Sequence, residues 1–169
     1  YTESDSVSVN ITSSFVSGNS GNEMFRFQDG GNLTITDSEI SNNESGANGG
    51  GIYGNQSSLT ITNVLISGNT SNVGGGAYLV YTPAQIINST IVNNHDEQDV
   101  GCGDGTGNMC GASNIWNAFS DLDILNSIIW QGLPEDFWEV RAGGEKNTGP
   151  YRGFDYVLIS SHGKGVARN

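Results

Sequence analysis

A short phrase recurs five times along this chain at a nearly constant interval, and this periodicity constrains the fold more than any single residue. The phrase reads ITSSFVSGN from Ile11, ITDSEISNN from Ile35, ITNVLISGN from Ile61, IINSTIVNN from Ile86 and ILNSIIWQG from Ile124. The successive intervals are 24, 26, 25 and 38 residues. Repeats of this length, made of short β-type runs and Gly/Asn turns, are typical of a solenoid in which each repeat forms one turn.

Apolar and polar residues alternate within each phrase with the period of two that indicates a β-strand. Leu33 and Ile35 are expected to face the core, and after a bend at Asp37 the pattern resumes with Ile40 facing inward. One turn could not bury its apolar face alone, so the turns must stack. The predicted core ladders are Val9, Leu33, Leu59 and Leu122; Ile11, Ile35, Ile61, Ile86 and Ile124; and Val16, Ile40, Ile66, Ile91 and Ile129.

A third short strand is predicted ahead of each later phrase, in the segments EMFRFQ, GGGIYGNQ, GGGAYLVY, NIWNAF and WEVRAG. Three parallel strands per turn make an all-β, right-handed parallel β-helix, and the phrases predict about five to six turns. The content of 25 Gly and 3 Pro agrees, because turns are abundant and long helices are disfavoured. We predict a β-helix over 1–132, with an inserted loop at about 95–114, and a non-repetitive cap over 133–169.

Two ladders of polar residues recur at the bends of the phrases. The first lies just after the second strand and contains Asn19, Asn43, Asn69 and Asn94. A tight turn at this place is expected to need a left-handed residue, which Asn tolerates, and amides stacked roughly 4.8 Å apart can bond along the axis. The second ladder contains Asp37, Asn63, Asn88 and Asn126. We interpret both ladders as structural.

The interval lengthens after Asn94 because an acidic, Gly-rich segment, NNHDEQDVGCGDGTGN, interrupts the repeat. Cys102 and Cys110 are eight residues apart in it, a spacing that suits one loop-closing disulfide in an oxidising compartment, with two free thiols as the alternative. The candidate calcium ligands are Asp96, Glu97, Asp99 and Asp104. These carboxylates, with turn carbonyls, could supply the oxygens that calcium prefers, although the spacing is not that of an EF-hand. The alternative is a solvated acidic loop.

The outward positions of the phrases become apolar towards the end of the repeat. Early phrases present threonine, serine and glutamate, whereas the late interaction patch consists of Ile87, Val92, Ile128 and Trp130. Solvent disfavours such a patch, so we expect the inserted loop, the 133–169 segment or a partner molecule to cover it. The 133–169 segment is also expected to cap the solenoid, because open strand edges pair with other chains.

The charge and hydropathy of the chain exclude some partners. With 18 acidic and 6 basic side chains, the formal net charge is −12, which argues against binding to nucleic acid or to an anionic membrane surface. No apolar run approaches the roughly 18 to 20 residues that span a bilayer, and the chain does not open on a signal peptide. We therefore expect a mature or trimmed segment of a secreted protein, without direct membrane insertion.

The units GGGIYGNQSSLTITNVLISGN and GGGAYLV…IINSTIVNN resemble the repeats of bacterial right-handed β-helix surface proteins, such as the polymorphic outer-membrane and adhesin repeats. This resemblance covers about residues 6–132 and implies secretion, display at the cell surface and binding along the strand faces. A shorter segment, FDYVLISSHGKG from Phe154, resembles the closing strand of type IV pilin-like and pseudopilin proteins. The long N-terminal apolar helix of that family is not in this sequence.

The sequence favours a non-catalytic extracellular module that contacts a glycan, a surface protein or copies of itself in a filament. The alternatives are a polysaccharide lyase or hydrolase on a β-helix and the head of a pilin-like subunit. Hydrolases need convergent carboxylates, and the regular turns offer only Asp37 and Glu39 together. A lyase needs a basic residue, and only Arg26 lies in the regular turns. We therefore predict no catalytic residues and no cofactor except possible calcium.

Overall fold

The computed structural model describes residues 7–97 and 112–130, together with the backbone of 138–143 and 158–160. Every regular element in these residues is a β-strand. The strands are β1 (Ser8–Thr12), β2 (Phe15–Ser17), β3 (Ser20–Gly21), β4 (Phe25–Gln28), β5 (Asn32–Ser41), β6 (Glu44–Ser45), β7 (Ile52–Asn55), β8 (Ser58–Ser67), β9 (Thr70–Ser71), β10 (Ala77–Val80), β11 (Ala84–Ile87), β12 (Thr90–Val92), β13 (His95–Asp96), β14 (Ala112–Ala118), β15 (Leu122–Leu125), β16 (Ile128–Trp130), β17 (Trp138–Gly143) and β18 (Leu158–Ser160).

The strands form three sheets, and each turn of the chain passes through them in the same order. Sheet 1 contains β1, β2, β5, β8, β11, β12, β15, β16 and β18; sheet 2 contains β4, β7, β10, β14 and β17; and sheet 3 contains β3, β6, β9 and β13. The paired strands of the described residues are parallel. The prediction of an all-β, parallel β-solenoid is therefore confirmed.

Three turns are complete, with a strand in every sheet: β4 to β6, β7 to β9 and β10 to β13. Within the described residues, the turn from β1 to β3 has no strand in sheet 2, and the turn from β14 to β16 has none in sheet 3. The prediction of five to six turns is therefore slightly higher than the number of complete turns in the described residues. The five phrases themselves all lie in sheet 1.

The core consists of apolar ladders that follow the phrases. Ile35, Ile61, Ile86 and Ile124 are consecutive partners across sheet 1, and each is at most 1% exposed. Full burial of such a side chain contributes about 1.5 to 3 kcal/mol, and it requires an apolar neighbour on both adjacent turns. The last pairing, across the 38-residue interval, keeps the same register although β13 ends at Asp96 and β14 begins only at Ala112.

The segment 133–169, predicted as a cap, contributes two strands to the solenoid. Strand β17 pairs with β14 in sheet 2, and β18 pairs with β16 in sheet 1. The sequence VLIS of residues 64–67 recurs at 157–160, so β18 belongs to a sixth copy of the phrase that the sequence analysis missed. The rest of this segment lies outside the described residues, as do residues 98–111 of the loop predicted at about 95–114. The two ends of that predicted loop belong to strands β13 and β14.

Left-handed residues bend the chain at fixed places in each turn. The bend inside the phrase has positive φ at Asp37 (50°), Asn63 (56°), Asn88 (50°) and Asn126 (47°). At the end of the phrase, the left-handed residues are Gly18, Asn42, Gly68 and Asn93. The expectation that the following residues, Asn19, Asn43, Asn69 and Asn94, take this conformation is wrong by one position. Gly and Asn take the left-handed position because their steric cost there is small.

The one-residue shift turns the amides of the asparagine ladder into the solenoid interior. Asn43, Asn69 and Asn94 are at most 1% exposed. The backbone N and the Nδ2 of Asn43 donate to Asn69 Oδ1 at 3.0 and 2.9 Å, and Asn69 donates to Asn94 Oδ1 in the same way. Asn69 Nδ2 also donates to the Ile40 carbonyl at 3.0 Å. Each buried amide is thus bonded to the turn on either side, which removes the penalty for burying it.

An asparagine from a different sheet continues this ladder in the turn that begins with β14. Asn114, at the start of sheet 2, accepts from the backbone N and the Nδ2 of Asn94 at 3.4 and 2.8 Å. In the turn below, the same place in the sheet is Gly76, where an added Cβ would lie 3.0 Å from Asn94 Nδ2 and 2.4 Å from the Asn114 carbonyl. The absence of a side chain at Gly76 therefore leaves room for the Asn94 amide. In the next turn the residue at this place is Asn114, and its own side chain joins the ladder.

We predict that Asn69→Ala destabilises the protein by about 3 kcal/mol or more, because it leaves buried partners on two turns without a hydrogen bond. Asn19→Ala is the matched control, because Asn19 is the exposed first member of the same ladder and should cost about 1 kcal/mol or less. Urea denaturation followed by circular dichroism measures both values. Equal losses for the two variants would contradict a stabilising role for the buried ladder.

Candidate functional site

An open groove with a volume of about 640 Å³ crosses four phrases on the outer side of sheet 1. It is lined by Ser13, Ser14, Phe15, Asp37, Ser38, Glu39, Asn63, Val64, Leu65, Asn88 and Thr90. Four stacked strands at a spacing of about 4.8 Å give it a length of roughly 14 Å. We call this surface the groove.

The left-handed bend inside each phrase forms the groove. Strands β5 and β8 run through the bend at Asp37 and Asn63, so two short runs of outward side chains meet at an angle along sheet 1. The side chains at the bend are exposed, whereas the residue that follows each bend is buried beneath them, as at Ser38 and Val64. A bend repeated in register on consecutive turns makes a continuous channel along the solenoid axis.

Hydrogen bonds hold the polar side chains of the groove in place. Asn63 Nδ2 donates to Asp37 Oδ1 at 2.6 Å, and Ser41 Oγ donates to Glu39 Oε1 at 2.7 Å. Beneath them, Ser38 Oγ accepts from the backbone N of Ser14 at 3.1 Å. The groove thus presents oriented carboxylate and amide oxygens, which are suited to accept hydrogen bonds from a ligand.

Apolar side chains alternate with these polar groups along one wall of the groove. Phe15, Glu39, Leu65 and Thr90 are consecutive partners across sheet 1, and Ile128 follows Thr90. Phe15 is 68% exposed at the open end of this row. An exposed aromatic ring beside oriented acceptors offers both an apolar and a hydrogen-bonding surface to one ligand.

The groove carries no basic side chain. Arg26 is the one Lys or Arg within 7–97 and 112–130, and it belongs to sheet 2, where it forms an ion pair with Glu23. Its guanidinium lies 5.3 Å from the centre of the Tyr53 ring. No basic side chain of 7–97 and 112–130 therefore neutralises the two carboxylates of the groove, which disfavours an anionic ligand there.

The structure describes only two of the four candidate calcium ligands. Asp96 is 1% exposed, and its Oδ1 accepts from Ser113 Oγ at 2.9 Å. Glu97 is exposed, and its backbone N donates to the Ser71 carbonyl. The others, Asp99 and Asp104, lie outside the described residues, as do the two cysteines of the predicted disulfide, Cys102 and Cys110. No group of three or more His, Cys, Asp or Glu side chains that could hold a metal occurs in the described part of the chain.

The late interaction patch lies beside the groove on the outer face of sheet 1. Ile87 and Val92 are half-buried, whereas Ile128 and Trp130 are 42% and 39% exposed. Ile128 extends the row of Phe15, and Trp130 pairs with Val92 in the row next to it. The prediction that the inserted loop or 133–169 covers this patch falls mostly on residues that lie outside the described part of the chain.

Sheet 2 carries an aromatic column that the sequence analysis did not identify. The ring centres of Tyr53 and Tyr78 are 5.5 Å apart, those of Tyr78 and Trp116 are 4.5 Å apart, and both pairs are nearly parallel. Its signal in the sequence is an aromatic residue at the same place in GGGIY, GGGAY and SNIW. Because the rings cover one another's faces, this column stabilises the stack of turns and leaves few ring faces for a ligand.

No known protein family matches the chain, and no curated protein and no solved structure matches it. The likeness to bacterial surface repeats and to pilin-like proteins is therefore a resemblance of short motifs. Within the described ranges, no helix is long and apolar enough to cross a membrane.

We predict that Tyr78 makes the stability of the protein sensitive to alkaline pH. Burial, with a smaller contribution from Tyr53, raises the pKa of Tyr78 above its usual 10.0, although a hydrogen bond with Asn48 opposes the rise. This hydroxyl therefore ionises more readily in the unfolded chain than in the folded protein. The contribution of Tyr78 to the free energy of unfolding is present below pH 10 and is lost as the pH rises from 10 through the pKa of the folded state.

Thermal unfolding of wild type and of Tyr78→Phe at increasing pH tests this sensitivity. The decrease in melting temperature above pH 10 should be smaller in the variant, and the titration of absorbance at the tyrosinate band should lose one group that ionises above pH 10. Identical alkaline profiles for the two proteins would contradict the expected linkage.

Proposed function

We propose that this protein is a non-catalytic, extracellular module that binds a neutral glycan chain in the groove. The observation that carries the proposal is the composition of the groove: oriented carboxylate, amide and hydroxyl groups lie beside an exposed aromatic ring along roughly 14 Å of the axis. Sugar hydroxyls donate to such oxygens, and the apolar face of a sugar ring packs on an aromatic side chain. A linear chain is the ligand whose shape fits a channel that crosses several turns.

The charge of the groove narrows the choice of ligand. Asp37 and Glu39 line it without a basic side chain, so an uncharged glycan is favoured over a sulfated or uronic-acid polymer. The formal charge of −12 likewise disfavours nucleic acid. Secretion and display at a cell surface, which the resemblance to adhesin repeats implies, agree with a glycan ligand and belong to the same proposal.

We expect binding in the groove to depend on Phe15 and Asn63. Phe15→Ala removes the exposed ring, and Asn63→Gly removes the amide while keeping a residue that tolerates the left-handed bend. Each variant should weaken binding of a neutral oligosaccharide, selected on a glycan array, by about tenfold or more in calorimetry, which corresponds to about 1.4 kcal/mol.

The matched control for these variants is Gln85→Ala, which removes an exposed polar side chain of sheet 1 that does not line the groove. Its affinity should equal that of the wild type. An array without any bound glycan, or equal affinities for Phe15→Ala and wild type, would contradict the proposal.

A polysaccharide hydrolase is the second candidate, because Asp37 and Glu39 line the same groove. Two carboxylates at one glycan site can serve as acid and base. Prolonged incubation of array-positive glycans, with analysis of reducing ends, separates the two functions. Cleavage that is lost in both Asp37→Asn and Glu39→Gln, with binding retained, would replace the binding module with an enzyme. No observation on the described residues favours the pilin-like alternative.

Calcium binding by Asp96, Glu97, Asp99 and Asp104 and the disulfide between Cys102 and Cys110 stay predictions. If calcium binds this segment, EDTA should lower the melting temperature and added calcium should restore it, because a ligand stabilises the state that binds it. An unchanged melting curve in EDTA would contradict the calcium prediction. Mass measurement of the alkylated protein, with and without prior reduction, tests the disulfide.

A further inference from the structure

One wall of the groove, which we call the strand wall, repeats every two turns. It is the row of consecutive partners Phe15, Glu39, Leu65 and Thr90, in which apolar and polar side chains alternate. Ile128, the next partner in the row, continues the alternation beyond the groove. Phe15 and Leu65 therefore lie two strand spacings apart along the axis, which is about 10 Å.

The opposite wall, which we call the bend wall, consists of Ser13, Asp37, Asn63 and Asn88, and it has the same repeat. Asn63 Nδ2 donates to Asp37 Oδ1 at 2.6 Å, and beyond the groove Asn126 Nδ2 donates to Asn88 Oδ1 at 2.7 Å. In the described part of the chain, no side-chain hydrogen bond joins Asn63 to Asn88, and none joins Ser13 to Asp37. These two open steps are also about 10 Å apart.

An open step leaves a donor and an acceptor for a ligand. Asn63 uses its Nδ2 for Asp37, and Asn88 uses its Oδ1 for Asn126. Asn63 Oδ1 and Asn88 Nδ2 therefore make no hydrogen bond within the described residues, and both side chains are exposed. A hydroxyl group donates one hydrogen bond and accepts others, so a single ligand hydroxyl can bridge these two atoms.

We propose that the groove takes an extended, neutral glycan ribbon in which each sugar ring is turned over relative to the ring before it. This inference rests on the proposed glycan-binding function and names the class of glycan. Linkages of the β-1,4 type produce such a ribbon, and two of its rings advance by nearly two strand spacings, about 10 Å. Every second ring has the same orientation, so one set of rings meets Phe15 and Leu65, and equivalent hydroxyls recur at the two open steps.

Chains of other shapes do not match this repeat. The groove is straight because the bend recurs between the same partners, with Thr36 beside Thr62 before it and Ser38 beside Val64 after it. An α-1,4-linked or β-1,3-linked glycan coils, so it departs from a straight channel after a few rings. An extended peptide repeats every two residues, or about 6.6 Å, which fits neither wall.

Calorimetry of the full chain with matched hexasaccharides tests the shape of the ligand. Cellohexaose and maltohexaose contain the same glucose units and differ only in linkage, which is β-1,4 in the first and α-1,4 in the second. Mannohexaose and xylohexaose extend the β-1,4 set. At least one β-1,4 hexasaccharide should bind about tenfold or more tightly than maltohexaose. Its affinity should increase with chain length up to about four rings, one for each turn of the groove, and then level off.

Two variants test the two walls with the β-1,4 hexasaccharide that binds most tightly. Leu65→Ser removes the second apolar contact of the strand wall, and Asn88→Gly removes the donor of an open step while keeping a residue that tolerates the left-handed bend. Each should weaken binding by about tenfold. Gln85→Ala, on the same turn as Asn88 but outside the groove, should leave the affinity unchanged. Thermal unfolding checks that every variant is folded.

The outcomes separate this inference from the proposed function. Equal affinities for the β-1,4 hexasaccharides and maltohexaose, or an affinity that Asn88→Gly and Leu65→Ser leave unchanged, would overturn the ribbon. A glycan of another shape that binds on the array and depends on Phe15 would also overturn the ribbon, but the proposed function would stand. An array without any bound glycan would overturn both.

Discussion

The structure depends on the hydrogen bonds that join the buried amides of the asparagine ladder from turn to turn. The Asn69 side chain is fully bonded only with Asn43 on one turn, Asn94 on the next and the Ile40 carbonyl beside it. These bonds fix the height and the rotation of each turn relative to its neighbours. The isoleucine ladders can stack without voids because the amides have already set the register. Apolar burial supplies the larger favourable free energy, whereas the amides make one arrangement of the turns preferable to the others.

The groove follows from the same regularity. A chain that must return to the same place in each sheet, one strand spacing further along the axis, bends at the same residue in every phrase. The left-handed positions at Asp37, Asn63 and Asn88 repeat for that reason. Exposed side chains at a repeated bend form a row whose spacing is set by the strands. The polar character of this row therefore costs the fold little, and it leaves a surface whose chemistry can vary without loss of stability.

The sequence alone predicted the fold class and most of the core ladders, because both depend on local periodicity that five phrases repeat. The prediction of Val9 as a core residue is wrong, since Val9 is 44% exposed. The sequence analysis misplaced the left-handed residue by one position, since Asn fits both a left-handed turn and a buried amide ladder. It missed Asn114, which belongs to sheet 2 and continues the asparagine ladder beyond Asn94. It also missed the aromatic column of Tyr53, Tyr78 and Trp116. The groove could not be predicted, because it arises from the angle between two halves of one strand and not from a motif.

The connection between β13 and β14 shows where a chain of this kind can accept an insertion. Strand β13 ends at Asp96 and β14 begins only at Ala112, yet Ile86 still pairs with Ile124. The hydrogen bonds that set the register run between turns and not along the chain. The number of residues between β13 and β14 can therefore differ from that at the other corners, where the intervals stay near 25 residues. A solenoid of this kind separates the part of its sequence that must stay periodic from a corner where insertions are tolerated.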